Sequence, residues 1–467
     1  MSEQIYSDWA VVGGGMMGMA LALQLAEAGQ RVTVYEAAPE WGGLTSAWNI
    51  NDEVRWDRFY HVNLLSDSYL RALLDKIGLE QEVRWVVTKT GFYSGGKLHS
   101  MSNAIEFLRF PVLNILEKLR LGFTISYASR YKNWQRLEQI SVEKWLRKLS
   151  GNSTFEKVWL PLLKAKLGDT YQSTSAAFIW AYINRMYKAR RSGLKTEMFG
   201  YVPGGYARVL DQLTQRLKEL GVVLKTSHPV SQVTQTSNGL KVEFIKQPNA
   251  LHEGVIFTTP SPLVSKVCPQ LPNEAAARLS RIEYLGVVCA SLLLKKPLSK
   301  YYVTNITDDW VPLTGIIEMS TVVDPREFGG HHLVYLPQYV RASDDAAFNE
   351  PDDSIQERML ATLERMYPSF SREDVVAFKV ARARNVMSLP TLDYSNQLTP
   401  MQTSVPGLYV INSSYIVQGT LNVNETLQIA QQGFELIKPR LGDKRQREKL
   451  SENHSPRAPF ATTAADT

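Results

Sequence analysis

Residues 9–15 (WAVVGGG) run an apolar strand directly into a glycine turn. Met19, Leu23 and Ala26 then recur on one helical face across 16–29, with Gly29 as the stop, and 31–35 (RVTVY) is a β-branched second strand closed by Glu36. Strand, turn, helix and strand make a βαβ unit within the first 36 residues. Gly13, Gly15 and Gly18 give it the pattern GxGxxG, with Met16 and Met17 between the second and third glycines. In this motif the first glycine permits the tight turn, the second lets the backbone approach a pyrophosphate, and the third lets the helix pack closely on the strand. Helix N-terminal amides and the helix dipole then hold phosphate charge. Glu36 follows the motif by about 20 residues, where an acid that binds a ribose belongs. Its carboxylate would repel a 2′-phosphate, which leaves NAD or FAD. Gly42 and Gly43 shortly after the acid favour FAD, and no second GxGxxG marks a separate nicotinamide domain.

Composition narrows the classes further. A net charge of +6 and a pI near 9.0 suit anionic partners or a membrane surface, but no clustered basic stripe supports nucleic-acid binding. Cys268 and Cys289 have no CxxC spacing, which removes a dithiol motif and a Cys-rich zinc site and fits a reducing compartment. The N-terminus lacks a charged region followed by an apolar one, and no run of 18 or more apolar residues occurs, so a cytoplasmic protein is expected. HExxH, GxSxG and Walker loops are absent, and the vicinal pair His331-His332 reads as a surface loop, so no metal is expected. Residues 107–132 (FLRFPVLNILEKLRLGFTISYASRYK) interleave basic and large apolar side chains. One reading is a surface resting on anionic lipid at the inner face of a membrane, giving access to a hydrophobic substrate. The other is a packed helix with solvated charges.

Along the chain, 103–190 reads as mostly helical and 206–220 as an amphipathic helix followed by strands in GVVLKT, KVEFIK and GVIFTTP. Residues 284–340 suggest an antiparallel sheet, 352–366 and 424–437 are helices, and 407–412 is a short strand. The polar tail from Gly442 is expected to be disordered.

Three segments resemble the superfamily of flavin amine oxidases, protoporphyrinogen oxidases and phytoene desaturases. They are GGGMMGMALALQLAEAGQRVTVYEAAPEWGG at 13–43, YVPGGYARVLDQLTQRLKELGVVLKTSHPVSQV at 201–233, and GLYVINSSYIVQGTLNVNETLQIAQQG at 407–433. WDRFYHVN and WLPLLKAKLGD are most similar to the protoporphyrinogen-oxidase-like members. The resemblance implies an α/β, Rossmann-type FAD-binding domain built discontinuously from 1–95, 196–258 and 395–440. A mixed α+β substrate domain would use 96–195 and 259–394. It adds Gly42, Gly43, Leu44, Val230, Asn412, Ser413, Gly419 and Thr420 to the implied FAD contacts, and places Arg58, Tyr60 and His61 near the isoalloxazine, with His61 and Arg58 as candidate catalytic residues. Leu44 stands where members often carry Arg, and Asn412-Ser413 where they carry Gly-Asp. The implied chemistry is hydride removal from a C–H bond of an amine or a hydrophobic, lipid-like substrate to flavin N5. Two other readings stay open: a non-redox flavin enzyme resembling sugar-nucleotide mutases, and a non-catalytic flavin-binding partner.

Overall fold

The computed structural model describes residues 6–189 and 197–441; the tail from Gly442 lies outside the described residues. Two seven-stranded sheets organise the chain. The first opens with β1 (Tyr6–Val12), α1 (Met16–Glu27) and β2 (Val32–Tyr35), and β1 pairs in parallel with β2 on one side and with Ala250–Phe257 on the other. Val223–Lys225 extends the parallel sheet beyond β2, and Leu408–Val410 extends it beyond the second half of Ala250–Phe257. Chain pieces from the beginning, middle and end of the sequence therefore share one Rossmann-type sheet.

α1 departs from the one-sided helix expected. Met16, Met17, Met19, Leu21, Leu23 and Leu25 are all buried, because the sheet covers one side while Gly205–Glu219 and Val423–Ile437 cover the others. A helix apolar all round is one enclosed all round.

The second sheet is largely antiparallel, in the order Val375–Ser388, Tyr284–Leu294, His332–Arg341, Gly315–Glu318, Val303–Ile306, Thr90–Ser94, Lys97–Ser100. Tyr284–Leu294 is buried on both faces. Val288, Ala290, Leu292 and Leu294 meet Ile355, Met359 and Leu363 of the helix Asp352–Met366, while Leu285, Val287, Cys289 and Leu293 join the core shared with the helical layer of residues 104–189. This is the period of two expected of a strand between two layers.

The hairpin of Thr90–Ser94 and Lys97–Ser100 turns at Gly95 and Gly96, both left-handed, and belongs to this second sheet. The boundary expected at residue 95 therefore falls inside a hairpin. His332 begins a strand, opposite Leu294, within the stretch 284–340 that suggests an antiparallel sheet, although the pair His331-His332 also reads as a loop.

Candidate functional site

Val12, Tyr35, Lys225, Phe257 and Val410 end parallel strands at a common edge, where open α/β sheets bind ligands. The three motif glycines stand there for different reasons. Gly13 has φ +114°, and a Cβ on it would lie 2.4 Å from Thr258 Oγ1. A Cβ on Gly18 would lie 1.9 Å from the Gly13 carbonyl oxygen, so the helix could not close onto the strand. Gly15 has φ −75°, and its Cβ would meet nothing nearer than Gly42 O at 3.8 Å. The protein's own packing does not demand glycine at 15, and the space before the start of α1 is the kind a pyrophosphate needs. Met16 and Met17 bury their side chains in the core, so what they can offer there is backbone N–H.

Glu36 holds this turn together. Its carboxylate accepts from Gly14 N at 2.7 Å and from Ala38 N at 2.8 Å. Each oxygen keeps a second acceptor direction, enough for a ribose hydroxyl. Gly42 N in turn donates to Gly14 O at 2.9 Å, which brings the second glycine pair against the first loop. Gly42, at φ +110°, lies against Leu210, and a Cβ on Gly43 would come within 3.4 Å of Gly15 Cα. Leu44 leads from this pair into a cleft of about 340 Å³, lined also by Trp48, Arg58, Phe59 and Ala381. Arg58 donates to Glu40 Oε2 at 2.7 Å across the protein surface. Among the described residues, its Nε and the Trp48 Nε1 are buried donors without a protein acceptor, a pair of orphaned groups at the rim of the glycine cradle.

His61 and Asp57 sit deeper. The helix Gly205–Glu219 starts at Gly204, which has no side chain to cap it, and Asp57 does the capping from 149 residues away by accepting Tyr206 N at 2.9 Å. Burial pushes the Asp57 carboxyl up to about 8 despite the backbone bonds from Tyr206 and Ala207. Burial also lowers the His61 imidazole to about 4. Asp57 Oδ2 lies 4.0 Å from His61 Nδ1. His61 Nδ1 donates to Phe59 O at 2.9 Å, since a carbonyl can only accept, which leaves Nε2 as the basic nitrogen. Its ring centroid lies 5.0 Å from that of Tyr206.

The remaining expected positions divide. The Asn412 side chain is engaged within the protein, accepting from Ser414 N and Ser414 Oγ and donating to Thr259 O and Ser261 Oγ. Ser413, beside it, is half-exposed, and among the described residues its hydroxyl has no protein partner. Gly419 and Thr420 precede Val423–Ile437, whose N-cap is Asn422. Val230 opens a strand opposite Phe244, whose ring lies tilted against that of Tyr35 with centroids 4.7 Å apart.

One group escaped the sequence reading. Tyr182 leaves 45% of its surface uncovered and stands beside Tyr60 and Tyr339. Tyr60 and Tyr339 meet there through their hydroxyls, 3.4 Å apart, and burial raises both phenols. Lys166 Nζ lies 3.1 Å from the centroid of the Tyr339 ring, and burial lowers its ammonium to about 7. In the sequence Lys166 is one of two lysines in LLKAKLG, and nothing there tells the enclosed one from the solvated one.

Among the curated proteins, the chain is 24% identical to a zeta-carotene desaturase of Synechocystis sp. over 49% of this chain and 51% of that protein. It is 25% identical to the flavin-containing amine oxidase B of Sus scrofa, over 63% of this chain and 58% of that protein. The chain spans about half the length of the first curated relatives it matches. Among solved structures, a protein assigned as a protoporphyrinogen oxidase from Exiguobacterium sp. 255-15 superposes with a TM-score of 0.75 at 17% identity, covering 94% of this chain and 100% of that one, which supports the fold. The family described as flavin containing amine oxidoreductase matches residues 16–422. The chain belongs to the flavin-containing amine oxidoreductase family.

Proposed function

We propose that this protein is an FAD-dependent oxidoreductase that removes a hydride from a C–H bond of an amine or a hydrophobic, lipid-like substrate. The observation that carries the reading is the side-chain-free space at Gly15, bounded by Gly42 and Gly43 at the start of α1. Gly13, Gly15 and Gly18 with the amides of Met16 and Met17 would hold the pyrophosphate, and Glu36 the adenosine ribose. Val230 would pack on the adenine side, and Gly43, Leu44, Ser413, Gly419 and Thr420 would lie along the flavin half. When bound, FAD supplies the hydride acceptor.

This chain's own residues do the rest. The cluster of Tyr60, Tyr182 and Tyr339 would give aromatic faces to an alkyl or polyene substrate. Lys166, beside Tyr339, is able to hold or release a proton near neutrality. Arg58 lines the cleft beside Gly43 and Leu44 and would orient the bound group there, while His61 keeps Nε2 as its basic nitrogen.

Anaerobic mixing of the flavin-loaded protein with panels of primary amines and of carotenoid-like polyenes tests the reading. Bleaching of the flavin band by a member of either panel, slowed in Lys166→Met, is expected. A flavin that no C–H donor bleaches, while dithionite reduces it, would contradict the proposal.

A further inference from the structure

The helix Ile115–Arg130 is built with its polarity reversed. Its buried side holds Glu117, Lys118 and Thr124 beside Leu121 and Ala128. Its outer side shows Ile115, Leu116, Leu119, Phe123 and Tyr127 to solvent, with Leu116 69% and Leu119 62% exposed. A helix packed on a water-soluble core carries the opposite pattern. Ile105 and Leu108, 63% and 55% exposed, extend the same apolar surface from the preceding helix Ala104–Arg109. Isolated exposed apolar side chains are ordinary, but seven on adjoining helices form a surface with a partner.

The charges around this patch say which partner. Between residues 103 and 138, the basic side chains Arg109, Arg120, Arg130, Lys132 and Arg136 are exposed. The three acids of the same stretch are turned inward and engaged. Glu106 accepts from Ser100 and Ser102, Glu117 pairs with Lys157 at 2.8 Å, and Glu138 accepts from Ser395. The solvent face of these helices is therefore apolar and rimmed by positive charge alone. We infer that this face docks on an anionic phospholipid surface, with the apolar side chains in the headgroup–acyl boundary and the arginines among the headgroups. No helix among the described residues is long and apolar enough to cross a membrane, so the contact is interfacial.

The same face is tied to the cluster of Tyr60, Tyr182 and Tyr339. Trp180 Nε1 donates to Tyr131 O at 3.0 Å and Asn184 Nδ2 to Ala128 O at 3.1 Å, which locks the helix Ala176–Ala189 onto the patch-bearing helix. Tyr182, on that locked helix, stands beside Tyr60 and Tyr339. A protein docked this way carries that cluster on a helix fixed to the lipid-facing one.

The test is co-sedimentation of the full chain with vesicles of phosphatidylcholine mixed with phosphatidylglycerol, and with vesicles of phosphatidylcholine alone. Flavin content and thermal unfolding serve as controls of folding. The wild type should bind the anionic vesicles and lose them as salt is raised. Leu116→Ser/Leu119→Ser/Phe123→Ser should abolish sedimentation, and Arg120→Gln/Arg130→Gln should weaken it by about tenfold or more, because each basic residue near an anionic surface matters individually. Wild-type protein that ignores both vesicles, or folded variants that bind as well as wild type, would overturn the inference. Self-association that vanishes in the apolar variant without any vesicle binding would overturn it too, and would assign the face to a second copy of this chain. Neither result depends on whether the flavin is redox-active.

Discussion

Replacing Lys166 by methionine should make the protein more stable, and should do so most at low pH. The ammonium drops from the ordinary 10.5 to about 7 because burial strips its hydration. Holding it charged in the folded state therefore costs about 5 kcal/mol relative to the unfolded chain. The Tyr339 ring face, 3.1 Å from Nζ, offsets about 1–2 kcal/mol of that. Below pH 7 both folded and unfolded states carry the proton, so the full penalty applies. Between pH 7 and 10.5 the folded chain sheds its proton while the unfolded chain keeps it, and the penalty shrinks by about 1.4 kcal/mol per pH unit. Methionine, of similar length and without charge, removes the penalty and keeps most of the packing. Urea unfolding of the flavin-loaded protein at fixed free FAD should show Lys166→Met more stable than wild type by about 3–4 kcal/mol at pH 6, with about 2 kcal/mol left at pH 9 and the advantage gone only above pH 10.5. Substrate-driven bleaching should slow in the same variant, a residue that costs stability being retained for what it does. A variant less stable than wild type at pH 6, or an advantage that is flat with pH, would refute the reasoning.

Other substitutions separate packing from binding. Gly15→Val should fold with little loss of stability but retain no flavin, whereas Gly18→Ala should lower stability by about 1–3 kcal/mol because its Cβ meets the Gly13 carbonyl; thermal unfolding with flavin content measures both. Asp57→Ala should cost about 1–3 kcal/mol by leaving the buried start of Gly205–Glu219 uncapped, and urea unfolding checks it. His61→Ala should slow flavin reduction per bound flavin by less than about tenfold, short of the 10²–10⁴ typical of a general base, since burial weakens the basicity of the imidazole and Nδ1 is tied to Phe59; stopped-flow reduction normalised to flavin content decides.

The parallel sheet was legible where local pattern and special backbone coincide. β1, the glycine turn and β2 combine period, β-branching and the left-handed Gly13, all of which are written within one stretch of sequence. Features made by distant residues were not. Asp57 caps a helix 149 residues away, and nothing in WDRFYHVN announces a cap. Asn412 carries the right atoms for a ligand, but Thr259, Ser261 and Ser414 close around them. Val375–Ser388 stayed hidden as a 14-residue strand because Lys379, Arg382 and Arg384 interrupt its apolar run; folded, Arg382 reaches Asp352 and Arg384 reaches Asp345. Lys166 reads as an ordinary helix-surface lysine until the second sheet brings Tyr339 over it. For residues 107–132 the sequence left two readings open, and it took the burial of Glu117 and Lys118 to show which side faces out.

The account rests most on the cradle at Gly15, and the cofactor released from the purified, reconstituted protein tests it most directly. Heat release followed by chromatography, scored against protein concentration, should give FAD at about one per chain. FMN in that amount, or a protein that takes up no flavin at all, would contradict it.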